Sequence, residues 1–261
     1  MKKIVIVLLS LIGLWLTANA QKKVEVSAQV DFVSHYIWRG FDNGGITILP
    51  QGSISWNNLS FEISGATCLD KEDGRQLDLT LGYKLGPINI GITDYWETGL
   101  DYDGRDLYFK YDAEKGAHRF EGNIGYTNDY FSVQAYTMFW GNDFKYDLDN
   151  ALTRQDGKRA FSSYIEVGVP MYLCGLDWDF KAGFTPFESA YNLTYTGDVL
   201  GIPHYQKDYY YAGGPTCVMA SIRATKNYKL GEIKIPAFME INANPYLQKA
   251  YLIVGVSVFP F

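Results

Sequence analysis

The segment VEVSAQVDF, residues 24–32, shows the alternation that decides the fold class. Every even position from Val24 to Phe32 is apolar, and every odd position between them is polar. Successive side chains of a β-strand point to opposite faces, so this segment separates an apolar environment from a polar one. The segments LSFEISG (59–65), QLDLTLGY (76–83) and LDWDFKAGF (176–184) repeat the pattern.

Twelve segments of the chain have this character, and helical periodicity is almost absent after Lys23. A tilted strand needs about 9–11 residues to cross a membrane, and most of the segments have about that length. The predicted strands are roughly 24–38, 46–56, 59–67, 75–84, 88–97, 118–127, 130–140, 160–172, 176–185, 216–228, 231–242 and 249–261.

The connections between these strands alternate between short turns, such as 57–58 and 128–129, and long loops, such as 186–215. This alternation is typical of bacterial outer-membrane barrels. We therefore predict an all-β fold, a transmembrane antiparallel up-and-down β-barrel of about 12 strands, with short periplasmic turns and long outer loops. The segment DLYFKYD (106–112) is assigned to a long loop, because one more strand would make the count odd. A secreted β-sandwich is the alternative, but it does not require connections of alternating length.

The first 20 residues have the features of a secretory signal peptide. Lys2 and Lys3 precede an apolar run, and Ala18-Asn19-Ala20 fits a small-x-small cleavage site. We expect cleavage near Ala20, so that residues 1–20 form the signal peptide and residues 21–261 form one barrel domain in the bacterial outer membrane.

Charge and cysteine content exclude several classes of partner and site. The net charge of −6 and the pI of about 5.1 argue against nucleic acid. The three cysteines form neither a disulfide framework nor a CxxC metal pair. We predict no cofactor, no metal site and no catalytic residues.

Aromatic side chains gather near the predicted strand ends, where flat or amphipathic rings suit the lipid headgroup boundary. The chain also ends in an aromatic residue, Phe261, as a barrel-assembly signal would. We therefore expect membrane lipid, lipopolysaccharide and the barrel-assembly machinery as partners. The predicted aromatic girdle consists of Tyr36, Trp38, Trp56, Tyr83, Tyr126, Phe131 and Trp178.

The segment VSHYIWRGFD, residues 33–42, crowds a histidine, two aromatics and an arginine before a glycine. Because the first predicted strand runs to residue 38 and keeps its even residues outward, Tyr36 and Trp38 face lipid at the outer end, whereas His35 and Arg39 face the lumen near its mouth. Gly40 would then free the backbone to turn into the first loop.

The polar face of the predicted strands carries nine acids and five bases, which leaves four net negative charges. These groups either line a narrow net-acidic pore or pair with one another and close it, because twelve strands fall between filled and open barrels. These fourteen charged residues and one histidine are the predicted pore-lining residues: Glu25, Asp31, His35, Arg39, Glu62, Asp78, Arg119, Glu121, Glu166, Asp177, Asp179, Lys181, Arg223, Lys234 and Glu240.

The stretch YIWRGFDNGGITILPQGSISW (36–56) resembles the aromatic-x-aromatic-Arg-Gly opening of the TorF family of porin-like outer-membrane proteins. The specific motif is Tyr36, Trp38, Arg39 and Gly40, and the resemblance continues more loosely through INIGITDYW (88–96) to the terminal Phe. It implies a barrel and a pore, and it brings no catalytic residues.

Passive diffusion of an unidentified small solute is the function that these features favour. A barrel enzyme of the lipase, deacylase or protease type is one alternative, but Ser34 and His35 are strand neighbours and point to opposite faces. His118 and His204 lie near aspartates without a local catalytic motif. A structural or adhesive barrel with binding loops is the other alternative.

Overall fold

The computed structural model describes residues 24–70, 75–97, 107–114, 116–146, 157–199 and 202–259. Every regular element within these ranges is a β-strand. None of the described residues belongs to a helix long and apolar enough to cross a membrane. The signal peptide, its cleavage site and Phe261 lie outside the described residues.

Eighteen strands follow one another along the described chain. They are β1 (Val24–Val33), β2 (Tyr36–Trp38), β3 (Phe41–Gly44), β4 (Thr47–Trp56), β5 (Leu59–Cys68), β6 (Arg75–Leu85), β7 (Ile88–Glu97), β8 (His118–Thr127), β9 (Ser132–Gly141), β10 (Phe144–Lys145), β11 (Lys158–Arg159), β12 (Ser163–Leu173), β13 (Leu176–Thr185), β14 (Tyr191–Val199), β15 (Ile202–Tyr209), β16 (Thr216–Leu230), β17 (Ile233–Asn244) and β18 (Lys249–Val258).

Twelve of these strands close into a single barrel in the order β1-β18-β17-β16-β13-β12-β9-β8-β7-β6-β5-β4. Each pairs antiparallel with its neighbours, and β1 closes the barrel by pairing with both β4 and β18. The predicted all-β antiparallel barrel is therefore confirmed, and the sandwich alternative is wrong. The predicted strands match the observed ones within a few residues, apart from the first strand, which ends at Val33 instead of residue 38.

Side chains alternate around the barrel as the sequence predicts. Apolar side chains such as Leu81 and Ile124 are exposed on the outer surface, whereas the intervening polar side chains point inward. The same period fixes the facing of β18, in which Leu252 is 60% exposed and Ile253 only 4%. An outer surface of exposed Leu, Ile and Val suits a lipid environment.

The connections at the two ends of the barrel differ. The short turns are tight, and in the turn from β12 to β13 both Cys174 (φ 55°) and Gly175 (φ 76°) adopt the left-handed conformation of a two-residue hairpin. The longer connections carry extra structure. Strands β2 and β3 form a hairpin, and β11, β10, β14 and β15 form a second small sheet. Residues 107–114 contain turns and no strand, which agrees with their assignment to a loop.

Candidate functional site in the barrel lumen

The hairpin formed by β2 and β3, which we call the plug hairpin (residues 34–46), turns into the barrel. Ser34 marks the departure from β1, because its amide donates to the Val254 carbonyl at 2.9 Å and its hydroxyl accepts from the Val254 amide at 3.0 Å. Gly40, with φ of 87°, forms the tip, and a Cβ there would lie 2.1 Å from the Val218 carbonyl oxygen. Asn244 donates to the Gly40 carbonyl at 3.2 Å. The tip is thus seated against the inner wall, at a position where only glycine fits.

The prediction that Tyr36 and Trp38 form part of a lipid-facing girdle is wrong. The Trp38 ring packs against Tyr210 and Tyr211 inside the barrel, with centroids 5.9 and 6.1 Å away. The Tyr36 hydroxyl donates to Gln76 Oε1 at 3.2 Å, on the inner face of β6. The girdle prediction assumed a straight strand to residue 38, but the chain leaves the barrel after Val33 and turns inward.

Arg39 lies inside the barrel and joins the plug hairpin to β8. Its guanidinium donates to both carboxylate oxygens of Glu121, at 2.6 and 2.8 Å, and to the Tyr211 hydroxyl at 2.5 Å. The side chains of Arg39 and Glu121 are only 8% and 2% exposed. A bidentate pair of this kind is the strongest arrangement that the two groups can make.

Aromatic rings surround the Arg39 guanidinium and complete the closure. Its central carbon lies 4.2 Å from the Tyr136 ring centroid, 4.4 Å from Trp38 and 4.7 Å from Tyr164. Cations are attracted to the faces of such rings. We call Arg39, Glu121 and these rings the Arg39 layer. The sequence predicted Arg39 and Glu121 as pore-lining residues but missed the rings around them, although tyrosines at inward positions of strands were a usable signal.

Parts of a second connection, described at residues 186–199 and 202–215, also turn inward and support the layer. The Ser189 hydroxyl accepts from the amides of Tyr211 and Ala212 at 2.9 and 3.1 Å, and Tyr211 is almost fully buried. The guanidinium of Arg119 lies 4.6 Å from the Tyr210 ring centroid and forms an ion pair with Glu97. Two loops and the barrel wall therefore meet around the same arginines.

Among the cavities formed by the described residues, three lie in series inside the barrel, because each shares lining residues with the next. The outer vestibule, of about 400 Å³, is bordered by Trp38, Arg119 and residues of the small sheet. The central chamber, of about 320 Å³, is bordered by Trp38 and Arg39 on one side and by Arg223 on the other. The inner vestibule, of about 470 Å³, shares Arg223 and Lys181 with the central chamber. The Arg39 layer thus separates the outer vestibule from the central chamber.

The other predicted pore-lining charges fall on the inner side of their strands, and several of them pair. Arg223 bonds Glu240 at 2.6 Å, and Lys181 lies 3.5 Å from Glu166 and 3.6 Å from Asp179. Glu97, the partner of Arg119, was not among the predicted residues because it stands at the end of its strand. Within the described part of the chain, the predicted groups that form no ion pair are Glu25, Asp31, Glu62, Asp78, Asp177 and Lys234.

The remaining girdle residues stand near the short turns. Tyr83, Tyr126 and Phe131 are exposed, and the rings of Tyr126 and Phe131 stack with centroids 5.7 Å apart. Trp56 and Trp178 are half-buried, and Trp178 donates to the Leu173 carbonyl at 3.2 Å. Their contact with lipid remains a prediction.

The histidines form no catalytic arrangement in the described chain. His118 bonds Asp94 through Nδ1 at 2.8 Å and the Tyr108 carbonyl through Nε2 at 2.5 Å, so neither ring nitrogen is left to act as a base. His35 is exposed and stands 6.4 Å from the Tyr251 ring, and His204 pairs with Gly197 in the hairpin of β14 and β15. The described residues also contain no group of three or more His, Cys, Asp or Glu that could hold a metal ion.

No protein-family model matches the chain, and no curated protein matches it. Among solved structures, it aligns with an outer-membrane channel from Pseudomonas putida F1 at 11% identity and a TM-score of 0.41, covering 92% of this chain and 97% of that one. The NanC porin gives 9% identity and a TM-score of 0.41, covering 90% of this chain and 98% of that one. The CymD monoaromatic hydrocarbon channel gives 9% identity and 0.42, covering 92% and 88%. Structural similarities this distant support no argument about function. The barrel assignment is based on the strand pairing of this chain alone.

Proposed function

We propose that the protein is a porin-like channel of the bacterial outer membrane, through which small solutes diffuse passively. The observation that carries the proposal is the series of three cavities inside a closed barrel, separated by the Arg39 layer. The apolar outer surface supports a membrane setting, with lipid, lipopolysaccharide and the barrel-assembly machinery as partners. The motif around Arg39 that resembles the TorF family is the tip of the plug hairpin.

The Arg39 layer lies across the proposed path, between the outer vestibule and the central chamber. A solute that leaves the outer vestibule meets Trp38 and the ion pair of Arg39 with Glu121 before it reaches the central chamber. Passage therefore requires the plug hairpin to shift, and the conformation described here is a closed one. Rings of charge and apolar constrictions are the usual means by which channels select and gate.

The charge of the lumen favours cations. Four of the five predicted bases are engaged in ion pairs, whereas five of the nine predicted acids are not. Carboxylates in a confined passage raise the local concentration of cations and repel anions. We infer a narrow, net-acidic channel.

Conductance in a planar lipid bilayer tests the function. The full-length protein, purified in its folded form, should produce discrete current steps, and a variant with a loosened plug hairpin should produce larger ones. If folded protein gives no current either as wild type or with the plug loosened, the channel proposal is wrong.

A further inference from the structure

We propose that the central chamber beneath Arg39 is a binding site for a small zwitterionic solute, of the size and chemistry of a free amino acid. The inference rests on the proposed channel function and names the class of solute that the channel selects. It is carried by the unpartnered oxygen of a buried amide, two incompletely paired cations and nearby carboxylates, on residues that all border one cavity of about 320 Å³.

Asn242 supplies the first observation. Its side chain is 3% exposed, and its Nδ2 donates to Glu240 at 2.9 Å. Its Oδ1 has no hydrogen-bond partner among the described residues, although Asn242 borders the chamber. A buried acceptor without a donor costs free energy. Oδ1 is closed to solvent in this conformation, so a solute that brings an N–H group, such as an ammonium, would remove that cost once the amide turns towards the chamber.

The cations of the chamber are the second observation. Lys181 Nζ stands 3.5 Å from Glu166 and 3.6 Å from Asp179, beyond the 2.7–3.2 Å of a good N–H···O bond. Arg223 directs Nε and Nη2 at Glu240, and its Nη1 has no hydrogen-bond partner among the described residues. Both cations can therefore donate further hydrogen bonds to the carboxylate of a solute.

The carboxylates make the site suited to a zwitterion instead of an anion. Glu166 and Asp179 border the chamber beside Lys181, and Glu240 borders it beside Arg223. Arg39 adds little field of its own, because Glu121 neutralises it. A simple anion would be repelled by these carboxylates, and a simple cation would be repelled by Lys181 and Arg223. A molecule with both charges a few ångströms apart satisfies both. The volume of the central chamber is roughly ten times the volume that one water molecule occupies in the liquid, about 30 Å³. A free amino acid fits in a chamber of this volume.

The test is isothermal titration calorimetry of the folded full-length protein in detergent, with glycine as the probe. Acetate, methylammonium and glucose serve as probes that lack one charge or both. We expect saturable binding of glycine and at least about tenfold weaker binding of the other three. The variants N242L and K181M should each weaken glycine binding by about tenfold or more. N123A, which removes an inward amide on β8 outside the chamber, should bind glycine as the wild type does.

Two results would overturn the proposal: no saturable glycine binding by the folded wild type, or unchanged binding in whichever of N242L and K181M folds. Equal binding of acetate or glucose would reject the zwitterion as the ligand class. Conductance of the same preparation separates this inference from the channel function. Current without glycine binding refutes the binding site alone, whereas glycine binding without current refutes the channel alone.

Discussion

At the scale of single residues, Arg39 shows which properties of an arginine side chain suit it to block the lumen. Its guanidinium offers a fork of donors to Glu121, a further donor to Tyr211 and two flat faces to aromatic rings. Lysine has neither the fork nor the flat faces, so it could not make these contacts together. The closure therefore depends on Arg39 and on the carboxylate that compensates its charge.

The variant E121Q is expected to loosen the plug hairpin and raise the single-channel conductance. Removing one partner of a buried ion pair leaves the other charge uncompensated, which costs on the order of 3–5 kcal/mol. Bilayer recordings measure the change. E62Q removes an inward carboxylate that has no ion pair and should leave the step size close to that of the wild type. Equal conductance of E121Q and wild type would show that this pair does not hold the channel closed.

Asp143, which follows β9, makes the loop beyond it sensitive to pH. Burial raises the pKa of its carboxyl, although a hydrogen bond from the Ser162 amide at 3.1 Å works to lower it. A carboxyl with a raised pKa stabilises the folded loop most below its ordinary pKa of about 3.9. That stabilisation is lost as the pH rises through the raised value.

We therefore expect the loop amides at Ala160 and Ser162 to be better protected from hydrogen exchange in mild acid than at neutral pH, after correction for the intrinsic rate. D143N has the same shape and no charge, so it should remove this dependence and protect the loop at neutral pH. A pH profile that is the same in D143N and wild type would contradict the role of Asp143.

At the scale of elements, the alternation of side chains predicted the barrel strands but not where the first one ends. His35, Tyr36 and Trp38 keep the alternation of β1, whereas Val33, Ser34 and Ile37 break it, and a period of two does not show whether the backbone still pairs with a neighbour. The strand ends because Ser34 makes the last bonds to Val254, and Arg39 and Gly40 take positive φ at the tip of the plug hairpin. The interrupted alternation and the Arg-Gly pair were the local signals of that turn.

The variant G40A is expected to unseat the plug hairpin. An L-residue at this φ costs about 1–2 kcal/mol, and the new Cβ would overlap the Val218 carbonyl. Hydrogen exchange of residues 36–44 should quicken and the conductance should rise. G214A adds the same methyl group at a site with nothing within 4 Å and should change neither measurement. Unaltered exchange in folded G40A would mean that the hairpin is held elsewhere.

At the scale of the whole molecule, the charges of the lumen could be predicted from the sequence, but their partners could not. Arg39 and Glu121 are separated by 82 positions, and only the inward fold of the plug hairpin brings them together. The inward facing of Glu121, Glu166 and Arg223 follows from the strand period alone. Ion pairing depends on register and on loop conformation, neither of which a single sequence encodes locally.

The closed barrel itself is expected to make the protein heat-modifiable. A barrel that pairs every strand has no free edge and satisfies its backbone groups internally, so mild detergent should not unfold it below boiling. Unheated and boiled samples should therefore migrate differently on a gel. The same gel serves as the folding check for the variants above, and identical mobility would contradict the closed barrel.

An open channel is expected to prefer cations, because unpaired carboxylates outnumber unpaired bases in the lumen. Asp31, Glu62 and Asp78 lie on β1, β5 and β6, on one side of the barrel, and form no ion pair among the described residues. The reversal potential in a KCl gradient should show this preference, and it should weaken at about 1 M salt, where the Debye length is about 3 Å.

The triple variant D31N/E62Q/D78N should shift that reversal potential towards chloride, whereas E232Q, in a short turn outside the lumen, should not. D179N should shift it less than the triple variant, because Lys181 lies 3.6 Å from Asp179 and already offsets its charge. A wild-type potential that favours chloride would contradict the net-acidic lumen. An unchanged potential in the triple variant would show that these three carboxylates do not set the selectivity.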